Sequence, residues 1–110
     1  MAQTDFRKYH IEKLQDPEEA IVYLEIALRE YEKDGDTEAF LLALRDVAES
    51  QGGMTKLSQK TNLSRTSIYK TLSSHSNPKI NTICAILKGL GFRIRLEPIF
   101  IKRRVIKRRT

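Results

Sequence analysis

The feature that most constrains the fold is the stretch of residues 54–91, where two short helical patterns are separated by only a few polar residues. Leu57 gives the first segment an inward-facing side chain. Ile68 and Leu72 lie four residues apart, and therefore on one face of a second helix. A polar loop and a strongly apolar third helix follow. This spacing predicts a helix-turn-helix.

The turn between the two short helices is formed by Thr61-Asn62-Leu63. We expect Asn62 to have a positive φ, because asparagine tolerates that conformation better than most residues do. Ser64 is the expected N-cap of the second helix, with its hydroxyl accepting a hydrogen bond from a backbone N–H two or three residues later. Together these residues predict a tight corner.

The second helix carries hydrogen-bond donors and cations on the face opposite Ile68 and Leu72. A polar, cationic and short-side-chained helix start is what the major groove of DNA accepts. We expect Arg65, Thr66 and Lys70 to lie in the groove, while the other polar residues hold phosphates and fix the register. The predicted DNA-binding residues are Ser64, Arg65, Thr66, Ser67, Tyr69, Lys70 and Asn77.

The alternative for this segment is an ordinary amphipathic helix whose polar face only contacts water. Solvated helices usually mix charges of both signs. Residues 52–96, however, contain no Asp or Glu. The absence of acids favours DNA binding.

Charge is divided unevenly along the chain. Residues 1–50 hold six Lys/Arg and 13 Asp/Glu, a net of −7, whereas residues 51–110 hold 14 Lys/Arg and a lone acid, Glu97, a net of +13. This asymmetry indicates two partners of opposite sign, DNA phosphates for the basic half and a basic protein for the acidic half. The alternative is that the charges serve only solubility.

Upstream of the helix-turn-helix the sequence predicts two helices. Asp16 and Pro17 begin the first as N-cap and first helical residue, and Gly35 ends it as a left-handed cap. Asp36 caps the next helix, which runs to about Gln51. The expected buried stripe of the first of these helices consists of Ile21, Leu24, Leu28 and Tyr31.

Downstream, the last helix begins near Ile80 and ends at Gly91. We expect Cys84, which lies among its apolar residues, to be a buried packing cysteine. Apolar and polar residues then alternate over residues 92–97, which predicts a short strand. One strand is not stable alone, so it must pair with the N-terminal segment, a partner protein or a second copy. Self-pairing would give a symmetric homodimer, suited to two DNA half-sites one helical turn apart.

The predicted fold class is mainly α, with five helices and one short C-terminal strand in a single domain. We expect the N-terminal segment to be an extended arm, because its apolar residues have no clear period. The basic tail is either disordered or holds phosphates. The parts of the domain at residues 1–110 are the arm 1–15, the acidic helices 16–51, the helix-turn-helix core 54–91, the strand 92–97 and the tail 98–110.

The sequence has no pattern typical of an enzyme, and we expect neither catalysis nor a cofactor or metal. Its two histidines, His10 and His75, lack catalytic partners, and His75 is expected at the surface or facing a phosphate. The single cysteine excludes an internal disulfide and a cysteine-built zinc site. Without a bilayer-spanning run or a signal peptide, the protein is expected to be cytoplasmic with no membrane partner.

Two sets of motifs at characteristic spacing resemble those of known proteins. The first set is Leu57-Ser58, Thr61-Asn62-Leu63-Ser64, Ile68-Tyr69-Lys70, Asn77-Pro78 and Leu87-Lys88-Gly89-Leu90-Gly91, and it resembles the lambda-repressor-like helix-turn-helix domains. The second set is Asp46-Val47-Ala48, Gly53-Met54-Thr55, Leu63-Ser64-Arg65 and Ile68-Tyr69-Lys70, and it is similar to the addiction-module antidote proteins, the antitoxins of type II toxin–antitoxin systems, a resemblance that covers roughly residues 16–96. Three positions depart from the pattern: Ser58 replaces the usual Ala, Asn62 the usual Gly, and Lys79 a capping Ser.

The resemblance implies a DNA-binding antitoxin that neutralises a cognate ribonuclease-type toxin by direct binding and represses its own operon, usually as a dimer. Its expected partners are double-stranded operator DNA, the toxin and a second copy of the chain. One alternative is a stand-alone prophage-type repressor without a toxin. The absence of a small basic reading frame directly adjacent to this one would favour that alternative. Another is a protein-interaction module whose helix-turn-helix is vestigial.

Overall fold

The computed structural model describes residues 2–73 and 76–99, and this part of the chain forms six α-helices and no strand. The mainly α class is thus confirmed, with one helix more than predicted. None of the described helices is both long and apolar enough to cross a membrane. The helices are α1 Ala2–Lys13, α2 Pro17–Asp34, α3 Thr37–Ser50, α4 Gly53–Lys60, α5 Arg65–Thr71 and α6 Ile80–Gly89.

The ends of α2 and the start of α3 follow the predicted caps. The Asp16 and Asp36 carboxylates each accept the backbone N–H two residues later, at 3.0 and 2.9 Å. Pro17 is the first residue of α2, and Gly35 closes it with φ 74°, a conformation that glycine adopts without strain. These local signals fix where the acidic helices begin and end.

The core is built around α3, against which α1, α2 and α4 pack. Leu41, Leu44 and Val47 of α3 are fully buried, together with side chains from α5 and α6. The remaining apolar core residues lie on α2 to α6 or directly after α1, α5 and α6: Leu14, Ala20, Leu24, Ala27, Ala43, Ala48, Leu57, Ile68, Leu72, Ile83, Ile86, Leu87 and Leu90.

The predicted buried stripe of α2 is largely wrong. Leu24 is buried as expected, but its buried companions are Ala20 and Ala27, whereas Ile21, Leu28 and Tyr31 each remain 40% exposed. The two alanines turn a small-residue face towards α3, which lets the helices approach closely. The larger side chains are consequently displaced to the flank of α2.

The predicted N-terminal arm is instead the helix α1. Arg7 Nη2 lies 3.0 Å from Asp46 Oδ1 and 2.7 Å from Glu49 Oε1, so the guanidinium ties α1 to α3. The phenol of Tyr23 donates to Asp46 Oδ2 at 2.7 Å, and His10 Nε2 lies 3.5 Å from the same oxygen. We call these five residues the Asp46 cluster. Polar tertiary contacts, rather than an apolar period, hold α1 in place.

Asp46 is the buried member of the cluster, and its carboxylate is fully paired. The Asp46 side chain is only 3% exposed. Within the described residues no buried side-chain nitrogen or oxygen lacks a hydrogen-bond partner. Burial, and then the bond to the Asp46 carboxylate, raise the pKa of Tyr23, and the bonds to the two carboxylates raise the pKa of Arg7. The cluster therefore joins α1, α2 and α3 with compensated charge.

Of two predictions for the C-terminal part, the strand at residues 92–97 is not confirmed and the burial of Cys84 is wrong. Residues 92–99 form no strand; the Phe92 N–H bonds back to the Leu87 carbonyl at 2.8 Å, and α1, one of the candidate pairing partners, is itself a helix on α3. A single segment has no partner for its backbone groups within one copy. Cys84 is exposed rather than buried, because it lies on the outer face of α6. Most of the predicted basic tail lies outside the described residues.

Candidate nucleic-acid interface

The corner between α4 and α5 is closed by a side chain. The Thr61 hydroxyl donates to the Leu57 carbonyl at 3.1 Å and accepts the Leu63 N–H at 3.2 Å. The expected positive φ at Asn62 is wrong, since only glycines have positive φ among the described residues. Hydrogen bonds from Thr61 make the turn without requiring a left-handed residue.

Ser64 caps α5 as predicted. Its hydroxyl oxygen accepts the Ser67 N–H at 3.0 Å and lies 3.1 Å from the Ser67 hydroxyl oxygen. The cap satisfies one of the free N–H groups at the helix start. The Ser64 oxygen is therefore occupied in shaping the corner, while Ser67 keeps bonding capacity on the surface.

The two faces of α5 separate as predicted. Ile68 and the following Leu72 are fully buried, and Leu57 of α4 packs in the same core. The polar residues of the helix are exposed, and they include both of its cations: Arg65, Thr66, Ser67, Tyr69 and Lys70. Because the Ile68 side of α5 is buried in the core, the polar side chains on the opposite side are held in fixed positions at the surface.

The cations of α5 have no acidic partner within residues 2–73 and 76–99. The ion pairs there involve only Arg7, His10 and Lys13. The Arg65 guanidinium carbon lies 5.9 Å from the centroid of the Tyr69 ring, one helical turn further on. A cation over an aromatic face is held by the ring quadrupole without consuming the guanidinium donors. This pairing is not among the features predicted above, although the spacing of four residues between Arg65 and Tyr69 indicates it.

Gly89 allows α6 to approach the corner between α4 and α5 closely. A Cβ built on Gly89 would lie 2.7 Å from Thr61 Cγ2 and 2.9 Å from Leu57 Cδ1. Both contacts are shorter than real Cβ atoms tolerate, so only glycine permits this approach. Gln51 Nε2 also donates to the Leu90 carbonyl at 2.9 Å and ties the end of α3 to α6.

Asn77, the last predicted DNA-binding residue, lies outside α5. It is exposed in the loop before α6, directly after Ser76, whose hydroxyl donates to the Thr71 carbonyl at the end of α5. That bond brings the loop back to α5. The prediction that His75 lies at the surface or faces a phosphate falls outside the described residues. The corner thus combines five exposed residues of α5, its capping serine and a tethered loop on one basic segment.

This arrangement can present polar donors to an anionic ligand without moving any core residue. A family model described as probable addiction module antidote protein matches residues 5–98 of the chain. No curated protein and no solved structure matches it significantly.

Proposed function

Because the chain belongs to the family of probable addiction module antidote proteins, we propose that it is a cytoplasmic DNA-binding antitoxin that represses its own operon. Membership implies a cognate toxin, and we further propose that this toxin is a ribonuclease neutralised by direct binding. The observation that carries the DNA-binding part is the exposed face of α5, whose cations Arg65 and Lys70 pair with no acid in the described residues.

In the proposed complex the start of α5 enters the major groove. Arg65, Thr66 and Lys70 contact base edges or the groove walls, because they are exposed at the capped end of the helix. Ser67, Tyr69 and Asn77 contact phosphates and fix the register, while Ser64, whose hydroxyl is bonded to Ser67, holds the start of the helix in place beside them. An arginine already placed over a ring loses less side-chain freedom on binding than an unsupported one.

The proposed repressor binds as a homodimer. Two half-sites one helical turn apart require two copies of α5 related by two-fold symmetry. Residues 92–99 support this, because Ile94 and Leu96 are exposed in a segment that has no strand partner within one copy. Antiparallel pairing of two such segments would cover both side chains.

The proposed toxin surface lies on the acidic helices between Asp16 and Glu49. A ribonuclease that binds messenger RNA needs a basic face, and these helices carry most of the acids of the chain. Exchanging Glu18, Glu25, Glu32 and Glu38 for Lys should abolish capture of the toxin in a pull-down. Undiminished capture would exclude this surface.

The test of DNA binding is a gel shift with the DNA directly upstream of the reading frame. Replacing both Arg65 and Lys70 with Ala should remove specific binding, at about 1–3 kcal/mol for each lost base contact. The matched control is the double variant Arg29→Ala/Lys33→Ala, which removes two exposed cations from α2. Equal losses in both variants, or no shift with the wild type, would refute the proposal.

The stand-alone repressor differs only in lacking the toxin. It would give the same gel shift with no small basic reading frame beside its own, so inspection of the neighbouring frame separates the two functions.

A further inference from the structure

Helix α2 exposes more large apolar side chains than any other described helix. Five of them are at least 40% exposed: Ile21, Val22, Ile26, Leu28 and Tyr31. Val22 and Ile26 are the most exposed of the five, at 53% and 54%, and lie one turn apart on the side opposite the buried Ala20 and Ala27. They face away from α3 and take no part in the core.

Helix stability does not explain these two residues. Valine and isoleucine are poorer helix formers than alanine, glutamate or lysine, because their branched side chains lose rotamer freedom. On a solvated helix face they also leave apolar surface in water. A pair of branched aliphatic side chains on the outer face therefore indicates a surface that is covered in a complex.

Carboxylates surround this pair. Glu18 and Glu19 lie one turn before Val22, and Glu25 lies three residues after it, while Arg29 and Glu30 lie one turn after Ile26; all five are exposed. We call Val22, Ile26 and their four acidic neighbours the α2 ridge. An apolar centre with a charged rim is the usual anatomy of a protein interface.

We propose that the α2 ridge is the docking site of the toxin, with Val22 and Ile26 inserted into an apolar groove bordered by lysines or arginines. The inference rests on the proposed function and narrows the acidic region to one helix face. Because α2 packs on α3 while α5 packs on α4, a protein bound to the ridge leaves the DNA-facing side chains free. The antitoxin can then hold toxin and DNA together.

The negative charge of the α2 ridge favours a basic protein, rather than a second copy of the chain, as its partner. Two α2 ridges packed together would bring eight carboxylates into one interface, and like charges in a desolvated interface cost several kcal/mol. A basic groove instead neutralises the rim while the apolar pair is buried. Glu25, at one edge of the ridge, lines a cavity together with Arg95 and Leu96, so the ridge borders the proposed dimer segment, whereas Val22 and Ile26 lie outside that cavity.

The experiment measures binding between the full chain and the purified product of the adjacent small basic reading frame, by isothermal titration calorimetry. The variant Val22→Ser/Ile26→Ser should raise the Kd at least about tenfold, since central apolar residues dominate interface energies. Its gel shift on upstream DNA should match the wild type. The control Leu42→Ser/Ile80→Ser, with exposed apolar residues on α3 and α6, should leave the Kd within about twofold.

The possible failures are distinguishable. A Kd unchanged by Val22→Ser/Ile26→Ser, with toxin bound normally, overturns the ridge and leaves the antitoxin function standing. A change in sedimentation from dimer to monomer without a change in toxin affinity assigns the ridge to a second copy and also overturns the proposal. Lack of toxin binding by the wild-type protein refutes the antitoxin function itself.

Discussion

Arg7 and Arg65 are both solvent-accessible arginines on short helices, yet their surroundings differ completely. Arg7 contacts two carboxylates, one of which, on Asp46, is almost fully buried. Arg65 contacts no acid among the described residues and lies over the Tyr69 ring. The guanidinium of Arg7 donates its hydrogen bonds within the fold, whereas that of Arg65 can donate hydrogen bonds to a ligand. The partners of an arginine, rather than its exposure, distinguish a structural role from a binding role.

The strongest way to break the comparison is to remove the acid that holds Arg7. Asp46→Ala leaves the partly buried Tyr23 hydroxyl and the Arg7 guanidinium without their acceptor on Asp46, and should lower the free energy of unfolding by about 3 kcal/mol. Urea denaturation followed by circular dichroism measures this. Glu49→Ala removes an exposed acceptor of the same guanidinium and should cost below about 1 kcal/mol. Equal decreases in the free energy of unfolding for the two variants would contradict the conclusion that Asp46 contributes more because it is buried.

Replacing each arginine alone separates the two roles, because one variant should change operator binding and the other should change stability. Arg65→Ala should weaken operator binding by about 1–3 kcal/mol and leave the free energy of unfolding unchanged. Arg7→Ala should lower the free energy of unfolding by about 1 kcal/mol and leave operator binding unchanged. Fluorescence anisotropy measures operator binding, and urea denaturation measures the free energy of unfolding, for both variants. If each variant altered both quantities alike, the division into structural and binding arginines would fail.

The Asp46 cluster also predicts a pH dependence. Because the pKa of Tyr23 is raised, the folded state keeps the phenolic proton where the unfolded chain has lost it. This contribution is complete below about pH 10 and is lost as the pH rises towards the folded value. Tyr23→Phe should cost about 1 kcal/mol at neutral pH through its lost hydrogen bond. The gap between wild type and variant should shrink by about pH 11, and a constant gap would contradict the linkage.

The smallest expected effect concerns the ring beneath Arg65. Tyr69→Leu keeps an apolar side chain on α5 and removes the cation–π contact, and should weaken operator binding by about 0.5–1 kcal/mol. Fluorescence anisotropy at fixed salt measures this change. In the Arg65→Ala background the same substitution should have less effect, because only the proposed phosphate contact of Tyr69 is then lost. Equal losses in the two backgrounds would show that the ring does not support Arg65.

The parts of the fold that follow from the sequence are those with local causes. Asp16, Asp36 and Ser64 cap helices through their own side chains, and Ile68 and Leu72 show their buried face by spacing alone. Candidate site residues on α5 are predictable for the same reason, since a buried stripe fixes the direction of the opposite face.

The features that the sequence does not show have two causes, contacts distant along the chain and local alternatives that serve equally well. Helix α1 is held by Arg7 across 39 residues to Asp46, and such a polar contact leaves no periodicity to detect. The turn is closed by Thr61 rather than by a left-handed Asn62, because a side-chain hydroxyl satisfies the same backbone groups. Two of the three buried residues of α2 are alanines, whose size favours close packing more than their hydrophobicity predicts.

The space beside Gly89 has a consequence for how this corner could diversify. A Cβ at position 89 would overlap the side chains of Thr61 and Leu57, so a larger residue there would disturb the packing of α6 against the corner and leave the exposed residues of α5 chemically the same. In the proposed symmetric dimer, any shift of α5 that resulted would occur in both copies. The separation of the two proposed half-sites would then depend on a residue that makes no contact with the nucleic acid.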